Sequence, residues 1–190
     1  MAFPLQNLTD FKAALGHFMG EADYLATLTS GGLLTKSQAP SGTIVQLVST
    51  QVTGFTTTNG IIPVDTSPPQ SSEGSSFGLT VNLMPESTAN TIYIRGDFHG
   101  SSGSFAQDVW ALFLGGSTSA ITAGTNEGVA GQMQSFSFLW QATTVSTATT
   151  SYTVNLGSNA AATFTLNGQG GAGLFGNTVT SLLTVFEVKD

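Results

Sequence analysis

Cysteine is absent from this 190-residue chain. Disulfide staples, thiolate chemistry and cysteine-based zinc sites are therefore excluded, and the redox compartment is left open. Charge is almost as scarce: 8% of residues are charged, against about 25% in an ordinary soluble domain. The only cations are Lys12, Lys36, Arg95 and Lys189. A phosphate backbone needs several on one face, so no nucleic-acid partner is expected. The net charge of −7 says little beyond solubility. No apolar run approaches the roughly 20 residues that span a bilayer, so no membrane partner is expected either. The opening MAFPLQNLTDFK has no basic stretch followed by an apolar one, which is not the pattern of a signal peptide.

What replaces charge is hydroxyl and glycine. The chain has 28 Thr, 21 Ser and 23 Gly, residues that suit strands and tight turns better than long helices. Thirteen Phe and 40% apolar residues supply a core and argue against disorder. A surface made polar by hydroxyls instead of charges is tolerable where it meets identical neighbours, which points to a closed assembly.

One segment has helical spacing. In residues 8–29, Phe11, Leu15, Phe18, Ala22 and Leu25 fall on one helix face, with Thr9 or Asp10 as cap. Gly16 and Gly20 weaken it by about 1 kcal/mol each relative to Ala. Such a helix needs something to lean on, which makes Phe11, Leu15, Phe18 and Leu25 the candidate attachment residues. Gly31, Gly32, Pro40 and Gly42 then mark a linker, and the chain divides into an attachment segment, 1–41, and a β-domain, 42–190.

Beyond the boundary the period becomes two. Strands are expected over 42–50, 79–84, 90–98, 109–116, 134–141, 151–157, 162–168 and 178–188. The run 109–116 is apolar on both faces and is expected to be covered on both. Long loops are expected at 51–78, 99–108 and 116–133. Eight strands without intervening helices predict a mainly β fold, an antiparallel two-sheet sandwich of jelly-roll type, with a short N-terminal helix; a barrel or TNF-like variant would give the same string of strands.

Several motifs match on letters alone. Gly74-Ser75-Ser76-Phe77-Gly78 fits G-x-S-x-G, but a nucleophile at Ser76 needs a strand before it and a helix after it. Here a Pro- and Ser-rich loop precedes and a strand follows. Gly168-Gln169-Gly170-Gly171-Ala172-Gly173 fits G-x-G-x-x-G without the βαβ unit that dinucleotide binding requires, and reads as a loop. Asp97, His99 and Asp108 are ligand types in a spacing that matches no specific metal site. His17 lies in the helical segment, where an interface contact is the ordinary reading. Asp65 and Glu73 flank a stretch too poor in carboxylates for a calcium loop. Its Pro63, Pro68 and Pro69 make it a stiff excursion that resists acting as a sticky edge. Trp110 and Trp140 sit in strand patterns that read as core, which leaves Phe105 as a loop aromatic for binding. No enzyme, cofactor or metal site is expected.

The order of segments resembles a known domain. GTIVQLVST, IIPVDTSPPQSSEG, MPESTANTIYIRG, ALFLGG, SYTVNLG, LNGQ and TVFEV follow one another over residues 42–190. The sequence is similar there to a jelly-roll domain of tailed-phage virion proteins, found as fibre knobs and head decorations. The resemblance implies a homotrimer on a phage particle. With no shaft and a short N-terminal segment, the expectation is a capsid decoration or cement protein partnered by the major capsid protein or another virion component, assembled in the host cytoplasm. The alternative is a short tail-fibre or head-fibre knob that binds a host receptor or glycan.

Overall fold

The computed structural model describes residues 39–190, apart from Gly128 and Val145. The amphipathic stretch with Phe11, Leu15, Phe18 and Leu25, and His17 with it, lies outside the described residues.

Alternation becomes strand wherever one face can be buried. Among the described residues twelve strands follow in order: β1 (Ile44–Thr53), β2 (Thr56–Thr58), β3 (Thr80–Leu83), β4 (Thr91–Ser102), β5 (Asp108–Leu114), β6 (Thr122–Asn126), β7 (Gln134–Thr143), β8 (Thr150–Ser158), β9 (Phe164–Leu166), β10 (Gly168–Gln169), β11 (Ala172–Gly173) and β12 (Thr180–Val188). Every segment read as a strand from the sequence contains one.

Eight of them build the sandwich. The first sheet runs β1-β12-β4-β7 and the second β3-β8-β5-β6, with every pairing antiparallel. Counted in chain order, those eight strands give 1-8-3-6 over 2-7-4-5, the two interlocked Greek keys of a jelly roll. Long β4 shares one edge between β12, along residues 91–97, and short β9, at residues 100–102. β2 then extends the sheet from β9.

Between the sheets lies the core. Leu79, Val81 and Leu83 meet Ile92, Ile94 and Phe98, with Leu112, Val154, Leu156, Phe164, Leu166, Leu183 and Val185 closing it. Burial of each such side chain is worth about 1.5–3 kcal/mol. Phe98 tilts against Phe136 and Phe138, and Trp110 stacks on Phe138 at 4.3 Å.

Four expectations need correction. The stretch 116–133, read as loop, contains β6, because Thr122–Asn126 pairs β5 despite lacking large apolar residues. Similarly, 51–78 holds β2, and β4 continues to Ser102 inside the expected loop 99–108. Trp140, read as core, is 37% exposed, because its position on β7 falls at the open rim of the sandwich. After β9 the chain turns at Asn167, which has φ 56°. It leads into the β10–β11 hairpin, so the G-x-G-x-x-G stretch is a tight two-residue turn at Gly170-Gly171.

Candidate interaction surface

The two sheets treat their outward faces differently, and a Pro-rich excursion is the reason. Residues 61–74 lie along the outside of the second sheet, held by bridges from Ile61 to Ser158, Gln70 to Ser119 and Ser75 to Leu156, and beyond them Phe77 turns into the main core. Asn155 reaches out from β8 and donates to the carbonyls of Ser71 and Glu73. Backbones come close here: a Cβ on Gly157 would lie 2.6 Å from the Gly60 carbonyl oxygen. Under the excursion Ile62 packs with Val109, Ala111 and Phe113 in a second small core. This is how the two-sided apolar β5 is covered on both sides.

Among the described residues, no comparable cover lies on the outward face of the first sheet. Its cross-strand rows are Ile44, Val188, Thr91 and Thr143; then Leu47, Phe186, Tyr93 and Gln141; then Ser49, Thr184, Arg95 and Leu139; then Gln51, Leu182, Asp97 and Ser137. Tyr93 and Phe186 stack at 5.4 Å. Leu47 and Leu139 are 57% and 63% exposed. Arg95 grips Asp97 through two hydrogen bonds, 2.8 and 3.1 Å, so this face carries an internally neutralised pair. The result is a face with exposed leucines on its two edge strands and, between them, a stacked aromatic pair and the Arg95–Asp97 pair among hydroxyls.

Polar anchors fix the ends of this sheet. At one end Glu187, fully buried, accepts hydrogen bonds from Gln46, Asn90 and the backbone N–H groups of Glu86 and Ser87. Burial pushes its carboxyl up, but these donors outweigh it and the pKa is lowered. The loop read as MPESTAN in the sequence is thereby tied to β12. At the other end Asn167 donates to the carbonyls of Val52 and Gly54 and accepts from Ser181, while its own N–H donates to His99 O. One buried amide joins β1, β4 and β12. Asp108 is buried between the sheets, where its Oδ1 accepts from Ser102 and its Oδ2 has no partner among the described residues; burial raises its pKa, and the Ser102 hydroxyl offsets part of that.

The residues singled out in the sequence are not brought together. Asp97 and His99 lie on the outward face, where His99 Nδ1 meets the Ser135 hydroxyl at 2.7 Å, whereas Asp108 is inside. No three His, Asp or Glu residues converge among those described. Asp65 and Glu73 cap local turns through Ser67 N–H and Gln70 N–H. Ser76 opens a turn whose central residues, Phe77 and Gly78, both have positive φ, and β3 follows it directly. Trp110 lies half-buried in the core, and Phe105 is 91% exposed. The anchoring roles of Glu187 and Asn167 went unnoticed in the sequence. The available signal was a charge at an inward position of an otherwise apolar alternation, Leu183, Val185, Glu187.

No family model and no curated protein matches the chain. Among solved structures it is similar to the Eiger TNF of S. frugiperda, at 9% identity and TM-score 0.43, over 76% of this chain and 94% of that one. It is also similar to a subunit of Bacillus endospore appendages, described as disulfide-linked pili, at 13% identity and TM-score 0.32, over 80% and 96%. A third likeness is to the enzymatically active domain of tailspike protein 4 of bacteriophage CBA120, at 11% identity and TM-score 0.29, over 67% of this chain and 20% of that one. The jelly roll is defined by the strand order itself.

Proposed function

We propose that this chain is a structural protein of a tailed-phage particle, a capsid decoration or cement protein that works as a homotrimer. The observation that carries the reading is the asymmetry of the sandwich. One outward face is covered by the chain's own excursion, and among the described residues the other leaves Ile44, Leu47, Tyr93, Phe186 and Leu139 uncovered, for a partner. Its central ion pair is already neutralised, so placing this face inside an assembly strands no charge. The resemblance of residues 42–190 to phage virion domains supplies the particle, and the scarcity of charge suits a surface shared between identical subunits.

Light scattering on the intact chain tests the assembly: a trimer is expected, and a monomer overturns it. Leu47→Asp, at an exposed position, should convert the trimer to monomers without unfolding the sandwich. A low-resolution map of the particle tests the location. Density on the capsid, with reduced capsid stability when the protein is stripped off, is the expected outcome; density only on the tail overturns the decoration role.

A second reading, a receptor-binding knob, draws on one observation, the aromatic ring of Phe105 held almost wholly in solvent on the β4–β5 loop. Adsorption to host cells or binding on a glycan array, lost in Phe105→Ala, would establish it. Decoration predicts no specific ligand.

A further inference from the structure

The surface just described is bounded by two long sheet edges, and these edges differ from the others in the molecule. β1 and β7 each have ten residues, whereas the edges of the second sheet, β3 and β6, have four and five. Neither IVQLVSTQVT nor QSFSFLWQAT contains a proline or a charge. Proteins usually blunt an exposed edge with lysines, prolines or shortness, because unpaired N–H and C=O groups template another strand. The short edges obey that rule and the long ones do not. The one irregularity, a bulge between Ile44 and Gln46, still leaves residues 46–53 as a regular ladder of about 26 Å.

Strand direction supplies the second argument. β1 is antiparallel to β12, β12 to β4, and β4 to β7. With four strands, β1 and β7 point in opposite directions. A copy set alongside in the same orientation therefore offers its β1 to β7 as an antiparallel neighbour, and the alternation passes from one copy to the next unbroken. A sheet of five strands would have given a parallel junction, which is slightly less stable per residue. Such a contact is heterologous, using two different surfaces, and this is the type that a three-fold ring requires.

We infer that copies of this chain join by pairing β7 of one with β1 of the next, so that the first sheet runs continuously through the assembly. This rests on the self-association reading and specifies how it is achieved. With Leu139 opposite Leu47 of a second copy, Ser137 faces Ser49 and Ser135 faces Gln51. The exposed apolar residues at the two rims then cover each other, and serines and glutamine occupy the rest of the outward row.

The absence of cysteine gives a clean test. Directly opposed strand residues lie about 4.5–5.5 Å apart at Cα, within the range a disulfide bridges. Ser49→Cys and Ser137→Cys are exposed substitutions, made singly and together, with Gln51→Cys and Ser135→Cys as a second pair. A short bis-maleimide repeats each assay, so that a slip in register still reports. Mixing the two single variants under mild oxidation should give a cross-linked species on a non-reducing gel that neither gives alone, and the double variant should run as a covalent trimer. A covalent ladder beyond the trimer supports the pairing and denies ring closure. Cross-linking of one single variant with itself, or none while light scattering still shows a trimer, overturns the edge pairing and leaves self-association standing. A monomer overturns both.

Discussion

Glu187 and Asp108 are both fully buried, yet they load the fold in opposite ways. Glu187 has a partner for each oxygen and a lowered pKa. A depressed carboxyl contributes stability above its unfolded value, about 4.3, and loses it as pH falls through the folded value. Glu187→Ala strands several donors of the 84–90 loop and is expected to cost about 3 kcal/mol; denaturant titration at pH 7 checks this, and the difference should shrink in acid. Asp108 has a raised pKa, so its linkage is reversed. The neutral form favours folding at low pH, and that contribution is lost as pH rises from the unfolded value, about 3.9, through the folded one. Asp108→Asn should therefore have a higher Tm than the parent at pH 7 and converge with it near pH 4. A lower Tm for Asp108→Asn at pH 7 would show that the carboxylate is stabilised by something other than Ser102. Much at this scale is hidden in the sequence. Glu187 interrupts an apolar alternation visibly enough, but its donors Gln46 and Asn90 lie 141 and 97 residues away. Nothing local announces them.

At the scale of elements, the excursion over the second sheet makes the decisive contacts. Asn155 holds it by two carbonyls and Gly157 lets its backbone approach. Asn155→Ala should cost about 2 kcal/mol, and Gly157→Ala should strain the contact by about 1–3 kcal/mol. Both should expose the layer beneath, Ile62, Val109 and Phe113, which binding of a hydrophobic dye would report. The sequence made β5 legible, since a run apolar on both faces must be covered twice. It also marked the excursion as stiff, but could not say where it would lie. β6 was illegible for a different reason: Thr122–Asn126 has no large apolar residue, and becomes a strand because β5 presents it with a ladder.

For the molecule as a whole, the sandwich leaves only one basic residue between Lys36 and Lys189. Arg95 sits at the centre of β4, with β12 on one side and β7 on the other, and its guanidinium is engaged by Asp97. Trypsin acting on the native protein should leave the Arg95–Gly96 bond intact, whereas heating before digestion should open it; mass spectrometry of the fragments distinguishes the two. Early native cleavage there would mean that β4 opens locally, against its place at the centre of the sheet.

Composition and period by themselves determined that this protein is all-β over residues 42–190, that hydroxyls do the work of charge, and that no cysteine chemistry is open to it. These follow because alternation reports a half-buried pleat directly. Which of two amphipathic sheets the chain itself covers was decided only by tertiary structure. Both are written in the same alternating code, and the difference arises when residues 61–74 fold back over one of them. The polarity of β1 against β7 is likewise a property of strand order, which depends on contacts between residues far apart in the chain.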